Sequence, residues 1–327
     1  MRPVLAPFPD MLPMAENLAP VIGADMVPIG WRHFPDGESL VTLNGEVTGR
    51  DMAILCTLRD PDRHALPLRF AAATVRDLGA ASVGLIAPYL GYMRQDRRFA
   101  PGQAVSAPLF AGFIEESFDW LVTADPHLHR IPSPDRLFTI PARRVVTAPL
   151  LAEWITGHVV DPVLLGPDSE SQQWVSEVAE LANYPYQVLR KQRSGDRSVE
   201  ISVPDSPALR AGTPVILDDI ASSGRTLVRA IERLHEAGAN PPVCVVIHAV
   251  FAGHAYAVFA GHAYTDILAA GARRIVTTDS IPHDSNAIGL APLLASVLRE
   301  GMAGLTFQQL EAPYSNRTTG RKDRDHE

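Results

Sequence analysis

Two adjacent acids end an apolar run in the segment VILDDIASSGRTL, residues 215–227. Asp218 and Asp219 are followed by a loop of small residues and then by a helical pattern. Small residues let backbone N–H groups approach an anion, and a helix N-terminus adds partial positive charge. The acids would repel a phosphate, but they suit sugar hydroxyls or Mg²⁺. The segment predicts a phosphate-binding loop beside a sugar or metal site; the alternative is a capped turn with two solvated acids. The loop residues predicted to bind phosphate are Ser222, Ser223, Gly224, Arg225 and Thr226.

Two other segments concentrate positive charge. PYLGYMRQDRRF (88–99) contains Arg94 beside Gln95, and VLRKQRSGDRSVEISV (188–203) contains Lys191 and Arg193. Guanidinium groups match phosphate oxygens in a bidentate way, and phosphoryl transfer needs positive charge where transition-state charge spreads. Both segments are therefore candidates for binding or activating a polyphosphate. The alternatives are a solvated basic loop and an exposed basic hairpin.

Three further segments hold isolated candidates. His127 follows an apolar run in TADPHLH (123–129), and Asp168 follows another in LLGPDSESQQW (164–174). FPDGES (34–39) reads, by residue type alone, as a Pro-Asp-Gly turn between strands. A lone histidine is more often structural than catalytic, and His129 has no assigned role. These segments gain meaning only together with the others.

In chain order, these motifs resemble the ribose-phosphate pyrophosphokinase family over nearly the whole chain, roughly residues 1–305. The 215–227 segment resembles the phosphoribosyl pyrophosphate motif that this family shares with the phosphoribosyltransferases, while RQDR, D-x-H and K-x-R are similar to the kinases alone. GDRSVEISVP (195–204) looks more like archaeal-type members. The residues after Asp168 depart from the family's glycines, which leaves the local backbone geometry open. No Ser-rich C-terminal stretch of the kind used for ADP regulation is present.

The resemblance implies an enzyme that transfers the diphosphoryl group of MgATP to the anomeric hydroxyl of ribose 5-phosphate. Asp218, Asp219 and the loop after them would hold the sugar phosphate. It also implies a homo-oligomer, from dimer to hexamer, in which the 34–38 loop often serves a neighbouring subunit. By resemblance, the ATP-binding residues are Phe34, Asp36, Glu38, Arg94 and Gln95, the catalytic residues are Lys191, Arg193 and His127, and the Mg²⁺ ligands are His127 and Asp168.

The elements that must position these residues alternate along the chain. Short apolar runs, such as DMAILCTL (51–58) and PVCVVIHAV (242–250), are separated by amphipathic stretches. This alternation is typical of parallel sheets with helices on both faces, and the pattern runs twice. In TLVRAIERLHEAGA, Leu227, Ile231 and Leu234 share one face. We expect an α/β fold of two tandem phosphoribosyltransferase-like domains.

The domain boundaries follow from prolines and polarity. Prolines cluster near 135–150, which suggests one domain over 1–145 and a second over 146–312. Residues 313–327 are polar and charged, and we expect them to be disordered. AVFAGHAY occurs twice in tandem over 249–264; we read this as a recent duplication or artefact, with His254 and His262 in a loop.

Composition limits the partners. The net charge of −8 argues against nucleic acid, because a protein that grips duplex nucleic acid must neutralise phosphates. No run approaches the ~20 apolar residues that span a bilayer, and the N-terminus has no signal-peptide pattern, so we expect a cytoplasmic protein. Cys56 and Cys244 sit in apolar runs and should be buried thiols. Two alternatives stay open: a phosphoribosyltransferase, and a non-catalytic homologue that regulates a synthetase.

Overall fold

The computed structural model describes residues 1–128, 130–194, 198–202, 207–251 and 262–302, with the backbone alone at 190–194, 198–202 and 300–302. Most of the duplicated octapeptides, the polar tail and His129 lie outside the described residues. Among the residues described, no helix is long and apolar enough to cross a membrane. Both cysteines are buried and free, as predicted.

The first half is built on a six-stranded parallel sheet with strand order β2-β1-β5-β6-β7-β8. A separate antiparallel hairpin, β3–β4, follows β2. The elements of the first half are β1 (Val4–Pro7), α1 (Leu12–Ile22), β2 (Asp25–Met26), β3 (Ile29–His33), β4 (Ser39–Leu43), β5 (Asp51–Leu55), α2 (Pro61–Asp77), β6 (Ser82–Ala87), α3 (Ser106–Glu115), β7 (Trp120–Ala124) and β8 (Ala142–Val145).

The second half repeats this plan in a parallel sheet of order β10-β9-β13-β14-β15-β16, with a hairpin β11–β12 after β10. Its elements are α4 (Ala148–His158), β9 (Pro162–Gly166), α5 (Gln172–Ala182), β10 (Tyr186–Val188), β11 (Arg190–Ser194), β12 (Ser198–Ser202), α6 (Pro207–Ala211), β13 (Thr213–Ile220), α7 (Arg225–Glu236), β14 (Val243–His248), α8 (Ala263–Ala269), β15 (Arg274–Thr278), β16 (Asn286–Ile288) and α9 (Ala291–Met302).

Burial explains why the apolar runs became strands. Every residue of β14 is buried, as expected for a central parallel strand covered on both faces. Helix α7 buries Leu227, Ile231 and Leu234 against the sheet, so the predicted helical face is confirmed. The predicted α/β fold of two parallel sheets flanked by helices is confirmed as well.

The strand order reverses once in each sheet. From β1 the chain moves outward to β2 and then returns to β5 on the other side; β9, β10 and β13 do the same. Pro7 pairs with Leu55 across the first reversal, and Leu165 pairs with Ile216 across the second. These two pairs serve as reference points for comparing the halves. We call a residue of the first half and a residue of the second half equivalent when each lies the same number of residues from its reference pair, counted along the strand or carried across to the paired neighbouring strands.

Direct contacts join the halves. The Thr57 hydroxyl donates to the Ser280 carbonyl at 2.9 Å, and Nε2 of the His248 ring contacts the Asp125 carbonyl at 3.2 Å. Helix α9, which follows the second sheet, packs on the first half, where Leu294 joins the cluster that contains Leu5. The two sheets are thus held as neighbours, while the predicted boundary near residue 145 stays a prediction.

Candidate functional site

A cavity of about 350 Å³ lies at the carboxyl edge of the second sheet, where its strand order reverses. In open parallel sheets, ligands bind in the crevice at this point. We call it the second-half cavity. It is lined by Arg94, His127, Asp168, Glu170, Asp218, Asp219, Ile220, Ala221, Ser222, Ser223, Gly224, Arg225, Thr226 and Leu227. Sequence reasoning had selected most of these residues from separate segments.

The acid pair stands near the end of β13, the strand that borders the reversal. The Asp219 carboxylate is almost fully buried and accepts a hydrogen bond from Nδ1 of His127, which comes from the first half. The His127 ring stacks parallel to Trp174, with ring centroids 6.3 Å apart. The pair His127–Asp219 therefore crosses the junction of the two halves inside the cavity.

The two acids have opposite electrostatic surroundings. Burial raises the pKa of Asp218 well above its ordinary value, and the negative charges of Asp219 and Asp168 raise it further. Burial would also raise the pKa of Asp219, but the hydrogen bond and charge of His127, with the charge of Arg94, outweigh burial and lower it. Asp219 thus stays ionised, while Asp218 favours a proton or a neighbouring cation.

The loop after β13 forms a cradle at the N-terminus of α7. Gly224 precedes the helix with φ +71°, a left-handed conformation that glycine adopts without strain. A Cβ at this position would also lie 3.1 Å from Ile267. The hydroxyls of Ser222, Ser223 and Thr226 line the same cavity. Free backbone N–H groups of the first helical turn and these hydroxyls suit an anionic phosphate.

Asp168 follows β9 and caps a short turn. Its carboxylate accepts from the Glu170 backbone N–H at 3.0 Å, and the Ser171 hydroxyl donates to the Asp168 carbonyl at 2.7 Å. The residues that replace the expected glycines, Ser169, Glu170 and Ser171, therefore form a 3₁₀ turn that is capped by Asp168. This turn brings Glu170 into the cavity lining, a residue that sequence reasoning missed.

The loop after β6 divides its roles. Arg94 lines the cavity, but the Gln95 side chain accepts from the Ser106 hydroxyl at 2.7 Å, at the start of α3. Asp96 accepts from Arg130 Nη1 at 2.7 Å. One residue of this motif thus faces the cavity, while the next two brace the loop that carries it.

A buried network positions His127. Asp125, with φ +31°, accepts from Arg144 Nε at 2.5 Å and from the Thr147 hydroxyl at 2.6 Å. Because a carbonyl can only accept, His248 Nε2 donates to the Asp125 carbonyl, and Nδ1 of this ring contacts Ser280 Oγ at 2.9 Å. Burial lowers the pKa of His248. Sequence reasoning missed His248, although a histidine that ends a fully apolar strand was a usable signal.

Other predicted residues lie outside the cavity lining. Phe34, Asp36 and Glu38 occupy the tip of the β3–β4 hairpin, where the guanidinium of Arg32 lies 4.7 Å from the Phe34 ring centroid. The Glu38 backbone N–H donates to Asp36 Oδ1 at 3.2 Å. None of these three residues lines the cavity of its own chain.

Lys191 and Arg193 lie in β11, opposite Ile201 and Val199 of β12. Their side chains lie outside the described part of the structure. The hairpin continues directly from β10, which pairs with β9, the strand that precedes Asp168.

The donor set suits a hard cation. Asp168, Asp218 and Asp219 offer carboxylate oxygens to the cavity, and their mutual repulsion, expressed in the raised pKa of Asp218, would be offset by Mg²⁺. Within the described residues, no three His, Cys, Asp or Glu side chains converge as a ready metal site. Mg²⁺ typically binds through one or two carboxylates, water and substrate phosphates, so the residues fit this ion.

Comparisons with known proteins agree with this geometry. Residues 9–117 match the family described as the N-terminal domain of ribose phosphate pyrophosphokinase, and residues 147–269 match the phosphoribosyl transferase domain. A ribose-phosphate pyrophosphokinase of Methanothermobacter thermautotrophicus is 31% identical over 88% of this chain and 96% of its own length.

Two further relatives extend the comparison. The ribose-phosphate pyrophosphokinase of Methanopyrus kandleri is 30% identical over 89% of this chain and 96% of its own length. The crystal structure of phosphoribosylpyrophosphate synthetase from Mycobacterium smegmatis superposes with a TM-score of 0.78 at 23% identity, covering 92% of this chain and 99% of that one. The two sequence relatives are archaeal, in line with the expected archaeal-type resemblance.

Proposed function

The chain belongs to the ribose-phosphate pyrophosphokinase family, and we propose that the second-half cavity is its active site. The chain is an enzyme that transfers the diphosphoryl group of ATP to the anomeric hydroxyl of ribose 5-phosphate. The bond from the α- to the β-phosphate of ATP breaks, the anomeric oxygen bonds to the β-phosphorus, and AMP leaves. One observation carries the site: Arg94 and His127 of the first half meet Asp168, Asp219 and the cradle of the second in one cavity.

We assign the 5-phosphate of the sugar to the cradle. The hydroxyls of Ser222, Ser223 and Thr226 and the N-terminus of α7, with Gly224 and Arg225, would bind its oxygens. The carboxylates of Asp218 and Asp219 would accept from the ribose hydroxyls or contact the metal. The opposite pKa shifts of the two acids support a divided role, because an ionised Asp219 already accepts from His127.

Magnesium is the cation proposed for this site. His127 and Asp168 are the proposed ligands by family resemblance, and the carboxylate-rich lining supports them. Mg²⁺ would neutralise phosphate charge on the nucleotide. The hydrogen bond to Asp219 orients the His127 ring, so a bound metal would be ligated through the other ring nitrogen, Nε2.

The nucleotide would be bound by residues from two places. Arg94 lines the cavity, while Gln95 sits directly beside it. Phe34, Asp36 and Glu38 lie on a hairpin tip outside the cavity of their own chain, which supports the proposal that they complete the site of a neighbouring subunit. A homo-oligomer, from dimer to hexamer, is therefore part of this proposal, as is a cytoplasmic location.

Lys191 and Arg193 are the proposed source of rate acceleration. Both lie on the β11–β12 hairpin that follows the cavity-bordering strand pair β9–β10. Cationic side chains on a hairpin that approaches bound substrates would stabilise the charge that develops on the transferring group. The phosphoribosyltransferase and regulatory alternatives are not favoured by the relatives, which match along nearly their full lengths.

The decisive experiment is release of AMP from ATP, ribose 5-phosphate and Mg²⁺, measured with a coupled assay. Wild type should form AMP and phosphoribosyl pyrophosphate in equal amounts, and Lys191→Ala should lower kcat by about 10³-fold. Arg233→Ala, which removes an exposed cation paired with Glu236 on α7, is the control and should match wild type. Absence of AMP from wild type, or equal kcat for Lys191→Ala and wild type, would refute the proposal.

A further inference from the structure

A second cavity, of about 360 Å³, lies at the equivalent place in the first half. It opens at the carboxyl edge of the first sheet, where the strand order reverses between β1 and β5. The same rule that places ligands at the second reversal applies here. We call it the first-half cavity. It is lined by Pro9, Asp10, Trp31, Thr57, Arg59, Asp60, Arg63, His64, Ile281 and Pro282.

Each cavity is closed by the opposite half. Ile281 and Pro282 follow β15 and form a wall of the first-half cavity. His127 follows β7, the equivalent strand, and enters the second-half cavity. The two cavities are therefore related by an approximate exchange of the halves, and both lie at the junction between them.

Two arginines give the first-half cavity positive charge. The Arg63 guanidinium lies 5.1 Å from the Trp31 ring centroid, and within the described residues no carboxylate approaches it to ion-pair distance. Arg59 is held by the second half, because its Nε and Nη2 donate to the carbonyls of Val250 and Phe251, both at 3.1 Å. The guanidinium of Arg59 is thus oriented before any ligand arrives.

Polar groups surround these cations. His64 is 5% exposed, and its Nδ1 must donate to the Asp60 carbonyl at 2.9 Å, which leaves Nε2 on the side of Asp10, 3.7 Å from Oδ2. Asp10 follows a proline after β1, as Asp168 follows a proline after β9, and the two aspartates are equivalent positions. Asp10 and Asp60 can accept from hydroxyl groups of a ligand.

The catalytic features are replaced. Thr57 and Leu58 occupy the positions equivalent to Asp218 and Asp219, and the Thr57 hydroxyl donates to the Ser280 carbonyl across the junction. Pro61 begins helix α2 and has no N–H to offer an anion. The N–H groups of Arg63 and His64 donate to the Asp60 carbonyl, so side-chain cations would supply most of the contacts to an anion here. No pair of acids is present at the strand end.

We propose that the first-half cavity is a second, non-catalytic binding site for a phosphate group, free or carried by a small hydroxylated ester. Arg63 and Arg59 bind the phosphate oxygens, and Asp10 accepts from a ligand hydroxyl. Arginine suits this role because its planar fork matches phosphate geometry. The proposal concerns binding alone and does not depend on the reaction assigned to the other cavity.

Equilibrium dialysis with labelled inorganic phosphate at low ionic strength tests the proposal, with saturation measured per full-length chain. The second-half cavity is blocked by Ser223→Asp, because a carboxylate on this exposed loop residue repels phosphate. We expect two phosphates on wild type, one on Ser223→Asp, and at least tenfold weaker binding of that one when Arg63→Gln is added.

Arg69→Gln is the matched control in the Ser223→Asp background. Arg69 lies on the same helix, and its guanidinium also covers an aromatic ring, 5.6 Å from the Phe113 centroid, but it lies outside the cavity lining. This control should keep the remaining phosphate. The proposal is overturned if Ser223→Asp binds no phosphate, or if adding Arg63→Gln leaves its affinity unchanged. Circular dichroism of Ser223→Asp and of the two double variants, with Arg63→Gln or Arg69→Gln added, checks that the fold is intact.

Competition identifies the carrier of the phosphate. Ribose 5-phosphate and AMP are each titrated against labelled phosphate bound to Ser223→Asp. If one of these esters displaces the label at a lower concentration than unlabelled phosphate does, and Asp10→Asn weakens that displacement, the preferred ligand is a hydroxylated ester. Displacement only at equal or higher concentration assigns the site to inorganic phosphate. Failure of unlabelled phosphate itself to displace the label would mean that no saturable site exists and would refute the proposal.

Discussion

The two cavities of this chain occupy equivalent places in two copies of one topology, yet only one carries the residues that we propose for the reaction. Their volumes are nearly equal, about 350 and 360 Å³, so size does not distinguish them. Both are framed by a strand-order reversal and closed by a loop from the opposite half. The fold supplies a cavity twice, and the side chains at a few strand ends decide what each cavity does.

The clearest difference lies at the end of the strand beyond each reversal. Asp218 and Asp219 stand in the second half where Thr57 and Leu58 stand in the first. Asp219 bonds His127 across the junction, whereas Thr57 bonds the Ser280 backbone at the corresponding crossing. The contact between the halves is therefore an acid–histidine pair at the second-half cavity, whereas at the first-half cavity it is a hydroxyl–carbonyl hydrogen bond that holds the halves together.

The largest expected effect comes from substituting the equivalent residues Asp219 and Leu58, where the first change removes a charge and the second removes buried side-chain volume. Asp219→Asn should lower kcat by about 10³-fold, because it removes a buried charge from the transfer site while an amide oxygen can still accept from His127. Leu58→Ala should leave kcat within about twofold but lower the free energy of unfolding by about 2 to 5 kcal/mol, because Leu58 is fully buried. Steady-state AMP release and urea denaturation measure the two quantities.

This pair of variants can break the comparison directly. If Leu58→Ala lowers kcat as strongly as Asp219→Asn at a temperature where both variants are folded, the strand end beside the first-half cavity takes part in catalysis. If Asp219→Asn instead unfolds the protein and retains kcat in the folded fraction, the acid is structural. Either result would remove the proposed division of roles.

A second matched pair tests the aspartates that follow proline at the two first-strand ends. Asp168→Asn should lower kcat/KM by about 10- to 100-fold, because a proposed metal ligand loses its charge. Asp10→Asn should change kcat/KM by less than about twofold, because the first-half cavity lacks the acid pair. Titration of Mg²⁺ separates the causes: only Asp168→Asn should need more Mg²⁺ for half-maximal rate. Equal Mg²⁺ dependence of both variants and wild type would remove Asp168 from the metal site.

Sequence patterns predicted the layered fold and the second-half site because both depend on local signals. Apolar runs of strand length became buried parallel strands, and the acids of 218–219 could be recognised beside their own small-residue loop. The order of the strands within each sheet could not be predicted from the sequence, because strand pairing joins residues that lie far apart along the chain. For this reason, the first-half cavity, Glu170 and the role of His248 emerged only from the structure.

Residue type alone does not separate substrate binding from structural support within one motif. Gln95 stands next to Arg94, yet its carbonyl oxygen accepts from Ser106 at the start of a helix, so its assignment to ATP stays a prediction. The 34–38 loop lies outside its own cavity, and whether it serves a neighbour depends on contacts between chains. Spacing along one chain does not encode such contacts.

A smaller effect is expected from His248, whose equivalent in the first half is Leu90. Burial lowers the pKa of His248 in the folded protein, so below about pH 6.5 the unfolded chain binds a proton that the folded chain does not. This residue therefore lowers stability as the pH falls from 7.5 toward 5. His248→Gln should be less stable than wild type by about 1 kcal/mol at pH 7.5, and the difference should shrink toward pH 5.

Urea denaturation at pH 5, 6 and 7.5 measures this convergence. His235→Gln removes an exposed histidine of α7 and should follow the wild-type pH dependence. If the difference in the free energy of unfolding between His248→Gln and wild type stays constant over this range, the folded and unfolded chains bind the same number of protons at His248. The contact across the halves would then be independent of pH.

The smallest effect is expected at Asp279, whose equivalent in the first half, Pro126, carries no charge. Burial raises the pKa of Asp279 to about 6, above its ordinary value near 3.8, so the folded chain keeps a proton that the unfolded chain has lost. The resulting stability is complete below about pH 4 and is lost as the pH rises through 6. Asp279→Asn should therefore raise Tm by about 2 °C at pH 7 and leave it unchanged at pH 4, while its amide oxygen still accepts from the Leu290 N–H.

Differential scanning calorimetry at both pH values decides this prediction. Asp284→Asn, an exposed position in the same loop between β15 and β16, is the control and should change Tm at neither pH. A gain at pH 4 as large as that at pH 7 would mean that charge is not the cause. Since Asp279 follows β15 as Pro126 follows β7, a gain at pH 7 alone would show that the second half retains an ionisable group where its counterpart has none. The asymmetry of the halves would then extend from the cavities to the loops that close them.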